Sequence, residues 1–87
     1  MKKRTIQVAD AHDFRYEVEV QHYPKLGFSM AYYKGQPIAD HSYAMMSEPM
    51  VDNDAEWEQY EESLCEWMDQ AESDLAFACQ EYFNSKL

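Results

Sequence analysis

Residues 54–84 read DAEWEQYEESLCEWMDQAESDLAFACQEYFN, thirty-one residues without a glycine or a proline. Their larger or buried-type apolar positions are Trp57, Tyr60, Leu64, Trp67, Met68, Ala71, Leu75, Ala78, Cys79 and Tyr82. At ~100° per residue all ten lie within about 60° of one line, which is the stripe of a one-sided helix. Asn53 followed by Glu56 has the spacing of a capping box, and Ser47-Glu48-Pro49 breaks the chain just upstream. The stripe passes Ser73-Asp74 without losing phase, so the spacing predicts a single helix from about Asp54 to Asn84. At ~1.5 Å per residue it is roughly 46 Å long.

Upstream the period changes from 3.6 to 2. In Phe14-Arg15-Tyr16-Glu17-Val18-Glu19-Val20-Gln21 the apolar residues hold every even position, the pattern of a half-buried strand. Pro24 ends it. Gly27 to Tyr33 reads as the next strand, with Phe28, Met30 and Tyr32 on one face, and Lys34-Gly35 as a two-residue turn. Ile38 to Met46 reads as a further strand entered past Pro37, and Thr5 to Val8 as a short first one. Short links between successive strands make an antiparallel meander of three or four strands. One apolar sheet face and one apolar helix stripe bury each other in a two-layer α+β domain. Residues 1–46 form the sheet part and 53–85 the acidic amphipathic helix of one domain, 1–87. Strands of six to nine residues span only ~20–30 Å, so the helix overhangs the sheet, or its stripe continues into a second subunit.

Charge divides the chain in the same place. Residues 1–46 carry six basic and five acidic side chains, whereas 47–87 carry Lys86 and twelve acids, within a total of −10. That balance excludes direct nucleic-acid binding. No apolar run reaches the ~18 residues of a membrane span. The start, Met1-Lys2-Lys3-Arg4, is basic, but Gln7, Asp10, His12 and Asp13 interrupt the apolar segment of a signal peptide, which predicts a cytoplasmic protein.

Measured from Leu64, the side chains of Glu58, Glu62, Glu66 and Asp69 lie on the outer face of the predicted helix at spacings of four, four and three. Glu56 and Asp74 line one flank, Asp54, Glu61 and Glu72 the other. Glu58–Glu62 and Glu62–Glu66 are like-charged i,i+4 pairs, each costing a few tenths of a kcal/mol. A helix built only for solubility would intersperse Lys or Arg here. A local rule broken without compensation points to function, and a rigid row of carboxylates fits a groove lined by Lys and Arg, such as one that holds a nucleic-acid backbone. Phe77, about 140° from the stripe, is an exposed aromatic among acids and a candidate anchor.

The signals for chemistry are sparse. His12, His22 and His41 show no helical ligand spacing, which predicts no metal; His22 continues its strand's apolar face as a strand-end residue. Cys65 and Cys79 sit ~21 Å apart along the helix, too far for a disulfide. Gly27 and Gly35 are the only glycines, so no phosphate-binding loop is present. These absences predict a protein without catalytic activity or cofactor.

In size, acidity and carboxylate layout, carried by Glu58, Glu62, Glu66 and Asp69 with Glu56, Glu61, Glu72 and Asp74 beside them, the chain resembles the small phage-encoded DNA-mimic inhibitors of anti-restriction and anti-CRISPR type. The resemblance implies a non-catalytic inhibitor in the host bacterial cytosol. Its acidic helix would occupy the basic groove of a host defence or DNA-processing protein. The alternative is a homo-oligomeric accessory module, in the simplest case a homodimer, that mimics nothing.

Overall fold

A computed structural model describes residues 1–87. Four strands, β1 (Lys2–Ala9), β2 (Arg15–Tyr23), β3 (Phe28–Tyr33) and β4 (Gln36–Ser42), precede one helix, α1 (Asp54–Asn84). The strands pair antiparallel in the order β1-β2-β3-β4. This is the α+β meander packed by one long helix that the two hydrophobic periods predict, and the number of strands is four. The first strand is longer than Thr5 to Val8.

Local chemistry accounts for the turns. Between β1 and β2 the buried Asp10 carboxylate accepts the amides of His12 (2.8 Å) and Phe14 (3.1 Å) and the Tyr16 hydroxyl (2.8 Å). Between β3 and β4, Lys34 (φ 50°) and Gly35 (φ 81°) both take positive φ, as a two-residue hairpin turn of matching twist requires. Gly27 (φ 79°) closes the β2–β3 turn, where a Cβ would stand 2.7 Å from the Tyr43 carbonyl oxygen. The Asn53 side chain caps α1 by accepting the amides of Ala55 (2.9 Å) and Glu56 (3.4 Å).

The inner face of the sheet carries Val8, Val18, Val20, His22, Ser29 and Ala31, all buried. Register places Val20 opposite Ala31 and His22 opposite Ser29, so the helix-facing side of β3 is its small residues. Phe28, Met30 and Tyr32 therefore lie on the outer face. Against this sheet α1 sets Leu75, Cys79 and Phe83, and Phe83 stacks on Tyr16 with ring centroids 3.9 Å apart. His22, the penultimate residue of β2, continues its apolar face as expected and is fully buried within the helix–sheet interface.

The fourth strand departs from the expected Ile38–Met46. It starts at Gln36, takes a bulge at Ile38, and ends at Ser42. Residues 43–53 then leave the sheet and run back beside the helix as a strap. Trp67 Nε1–H donates to the Ala44 carbonyl (2.9 Å), Trp57 Nε1–H to the Val51 carbonyl (3.2 Å), and the Met46 amide to the Pro24 carbonyl (2.8 Å). These bonds replace the ladder partners a longer β4 would have had.

The molecule measures 51 × 19 × 19 Å. At its C-terminal end α1 is pinned by the Ala11 amide, which donates to Asn84 Oδ1 at 2.6 Å. The overhang is therefore at the other end. Tyr60 and Leu64 share a groove with Tyr23 and Pro24 at the limit of the sheet. Beyond it, the first turns of the helix rest only on the strap and on the Trp57–Tyr60 contact (5.7 Å, edge to face). No helix is long and apolar enough to cross a membrane.

Candidate functional site

The carboxylates from Asp52 to Asp74 fall into two groups. From Asp52 to Glu66 there are seven (Asp52, Asp54, Glu56, Glu58, Glu61, Glu62, Glu66). All seven are exposed and none has a cation of its own chain within salt-bridge distance. Glu58, Glu61, Glu62 and Glu66 surround the exposed Cys65 in a shallow trough on the outer side of the N-terminal half of the helix. Helical geometry alone places them there, four residues to a step.

The second group is drawn into the protein's own interactions. Asp69 meets the Arg4 guanidinium at 3.3 Å, and Glu72 meets the same group at 3.4 Å. Glu72 also lies 2.7 Å from His22 Nε2. Asp74 accepts from the Tyr43 hydroxyl and from Gln70 Nε2 (3.4 Å), with His41 at 3.7 Å. The Tyr43 hydrogen bond, then that of Gln70, holds the Asp74 carboxyl below its ordinary range despite partial desolvation, and His41 adds to this. Burial, followed by the Asp74 contact, pushes the Tyr43 phenol up to about 12. The outward row expected from Glu58 to Asp69 is thus a free ridge only as far as Glu66. Glu72 and Asp74 serve the helix–sheet seam, whereas the Arg4–Asp69 pair is solvent-exposed and contributes little stability.

Arg4 and the strap are what sequence reasoning missed. Arg4 is 65 residues from Asp69 in the chain, so no local spacing announces the pair. One signal exists: Arg4 shares the phase of Ile6 and Val8, and a cation on a helix-facing position calls for an anion opposite.

Ser29 Oγ, the His22 ring and Glu72 form a chain with both contacts at 2.7 Å. The order hydroxyl–imidazole–carboxylate is that of a nucleophile and its base. Here Ser29 and His22 are both fully buried, so no substrate atom reaches the hydroxyl, and the chain satisfies polar groups inside the interface. No His, Cys, Asp or Glu residues gather in threes to hold a metal ion. Cys65 and Cys79 are both free, and burial pushes the Cys79 thiol up to about 11.

Phe77 is 65% exposed, as its phase predicts, but it borders Gln7, Val8 and Ala9 of β1. Eleven residues of helix, ~16 Å, separate it from Glu66, so the structure does not bring it to the ridge. A different apolar surface adjoins the ridge. Tyr43, Ala44, Met45 and Met46 of the strap and Ser63, Trp67 and Gln70 of the helix enclose a groove of about 440 Å³, and Glu66 lines both this groove and the trough. Comparison of the chain with protein-family models, with curated proteins and with solved structures finds no match.

Proposed function

We propose that this is a non-catalytic binding protein whose overhanging acidic half-helix docks into a basic, nucleic-acid-binding groove of another protein and excludes the natural ligand. A host defence or DNA-processing protein is the partner this reading implies. One observation carries it: seven exposed carboxylates between Asp52 and Glu66 have no cation of their own chain beside them. Their mutual repulsion lowers stability slightly and is released when Lys and Arg of a partner intervene. Asp69, Glu72 and Asp74 are engaged within the chain, so the reading rests on Glu56, Glu58, Glu61, Glu62 and Glu66 of the helix.

The test is the double variant Glu58→Lys/Glu62→Lys. Both side chains are exposed; the 58–62 pair stays like-charged with its sign reversed, but the repulsion between positions 62 and 66 becomes an attraction, so the helix stays folded. Proteins captured from a bacterial lysate by the wild type should be lost at high salt, displaced by duplex DNA, and absent from the variant's eluate. Capture of the same proteins by the variant, with the same salt dependence, overturns the reading.

A further inference from the structure

We infer that the groove between the strap and α1 is a receptor for an arginine side chain of the basic partner, with Glu66 as its carboxylate and Trp67 as its aromatic wall. The inference rests on the proposed docking to a basic protein and gives that docking a specific contact. Three observations converge on the guanidinium. Glu66 is exposed and makes no hydrogen bond or ion pair within the chain. The polar atom of Trp67 is already used, since Nε1–H donates to the Ala44 carbonyl at 2.9 Å, so the indole offers the groove only its π-surface. Tyr43, packed edge to face against Trp67 with centroids 5.6 Å apart, has its hydroxyl committed to Asp74 and to the Gln70 carbonyl (3.1 Å). Two aromatic walls with their own donors spent and one free carboxylate at the rim select a planar cation that both stacks and hydrogen-bonds.

Other occupants fit less well. A divalent cation needs several oxygen ligands, and Glu66 is the one carboxylate lining the groove. An acidic or phosphorylated segment meets the ridge of unpaired anions that runs on from Glu66. A lysine is attracted by the same field but presents a compact, strongly hydrated ammonium, whereas arginine forks onto a carboxylate and stacks on an indole. A volume of about 440 Å³ accommodates one long side chain.

The experiment compares two peptides of identical length and charge, one whose cations are all arginine and one all lysine, titrated into the intact 15N-labelled protein. The arginine peptide should bind about two- to fivefold more tightly and move the Trp67 indole N–H resonance, while the lysine peptide leaves that resonance in place. Glu66→Gln should abolish the preference. Glu58→Gln, the same loss of charge outside the groove, should weaken both peptides equally and keep it. Equal, salt-sensitive binding of both peptides with no Trp67 shift would overturn the arginine receptor and leave the acidic-docking reading standing. Binding of neither peptide would overturn both.

Discussion

Ser29→Ala is the perturbation that weighs most on the helix–sheet seam. In the neutral His22 ring, the Glu72 carboxylate only accepts, so Nε2 carries the proton toward it (2.7 Å) and Nδ1 accepts the Ser29 hydroxyl (2.7 Å). Alanine fills almost the same space but leaves Nδ1 of a fully buried ring without a donor. An unpaired buried polar atom costs about 1–3 kcal/mol. In a domain of this size each kcal/mol shifts the melting temperature by about 4–8 °C, so the midpoint should fall by roughly 5–20 °C. His22→Leu removes the ring and strands the Ser29 hydroxyl instead, at comparable cost. The double variant removes donor and acceptor together, and its destabilisation should be about 1–2 kcal/mol less than the sum of the two. Urea unfolding, followed by circular dichroism and by tryptophan fluorescence, measures all four proteins. A Ser29→Ala change within about 0.5 kcal/mol of wild type, or strict additivity, refutes the idea that this chain is a coupled structural network.

Leu75→Ala should cost about 2–5 kcal/mol in the same urea assay, because Leu75 is fully buried at the centre of the core. The acid limb of stability should reflect Asp10 and Asp74. Burial opposes ionisation of Asp10, but hydrogen bonds from Tyr16 and the His12 and Phe14 amides prevail, and both carboxyls titrate below the ordinary 3.8 in the folded state. Their contributions are present above that value and lost as the pH falls through the folded ones. Asp10→Asn should therefore lower stability at neutral pH and flatten the acid limb of a denaturation series. Tyr43 has the opposite sign: its contribution persists up to pH 10.0 and disappears as the pH rises toward about 12, so a Tyr43→Phe destabilisation is present at neutral pH and fades along the alkaline limb. A thiol reagent added to the native protein should modify one cysteine per chain, the exposed Cys65, and should reach Cys79 only on unfolding.

Most of the architecture is legible in two periodicities. Strict alternation from Phe14 to Gln21 and the unbroken stripe from Trp57 to Tyr82 define the β2 face and α1 almost to the residue. β3 and β4 are not legible in the same way. Phe28, Met30 and Tyr32 are the bulkier set and would be placed inside by hydrophobicity alone. The close approach of the helix instead selects Ser29 and Ala31, a choice made by volume that no single strand reveals. The apolar run also continues past Ser42 although pairing stops, and there the Tyr43 hydroxyl turns to Asp74 and the Gln70 carbonyl of the helix. At the surface, helical phase locates every free carboxylate of the ridge and the exposed Phe77. It says nothing of Arg4, Tyr43 and His22, which approach from other elements and neutralise or engage the C-terminal acids. Local spacing reads faces. It does not read what the rest of the chain brings to them.

The two ways of covering the overhang, a basic partner or a second copy of the chain, differ in the sign of their response to salt. If two overhangs paired through Trp57 and Tyr60, each would turn seven carboxylates away from the other, with charge centres about 20 Å apart. Treated as point charges in water, they repel by about 10 kcal/mol without screening, and by about 1 kcal/mol when the Debye length is about 8 Å. Near-physiological salt therefore does not forbid such a dimer, but lowering the salt would dissolve it. Docking to a cationic groove runs the other way, strongest at low salt and weakening as counterions compete. Sedimentation of the chain alone at low and high ionic strength thus separates the readings without knowledge of the partner. A species that stays monomeric across the range leaves the ridge for a cation-rich protein, and one that dimerises as salt is added assigns the apolar side of the overhang to itself.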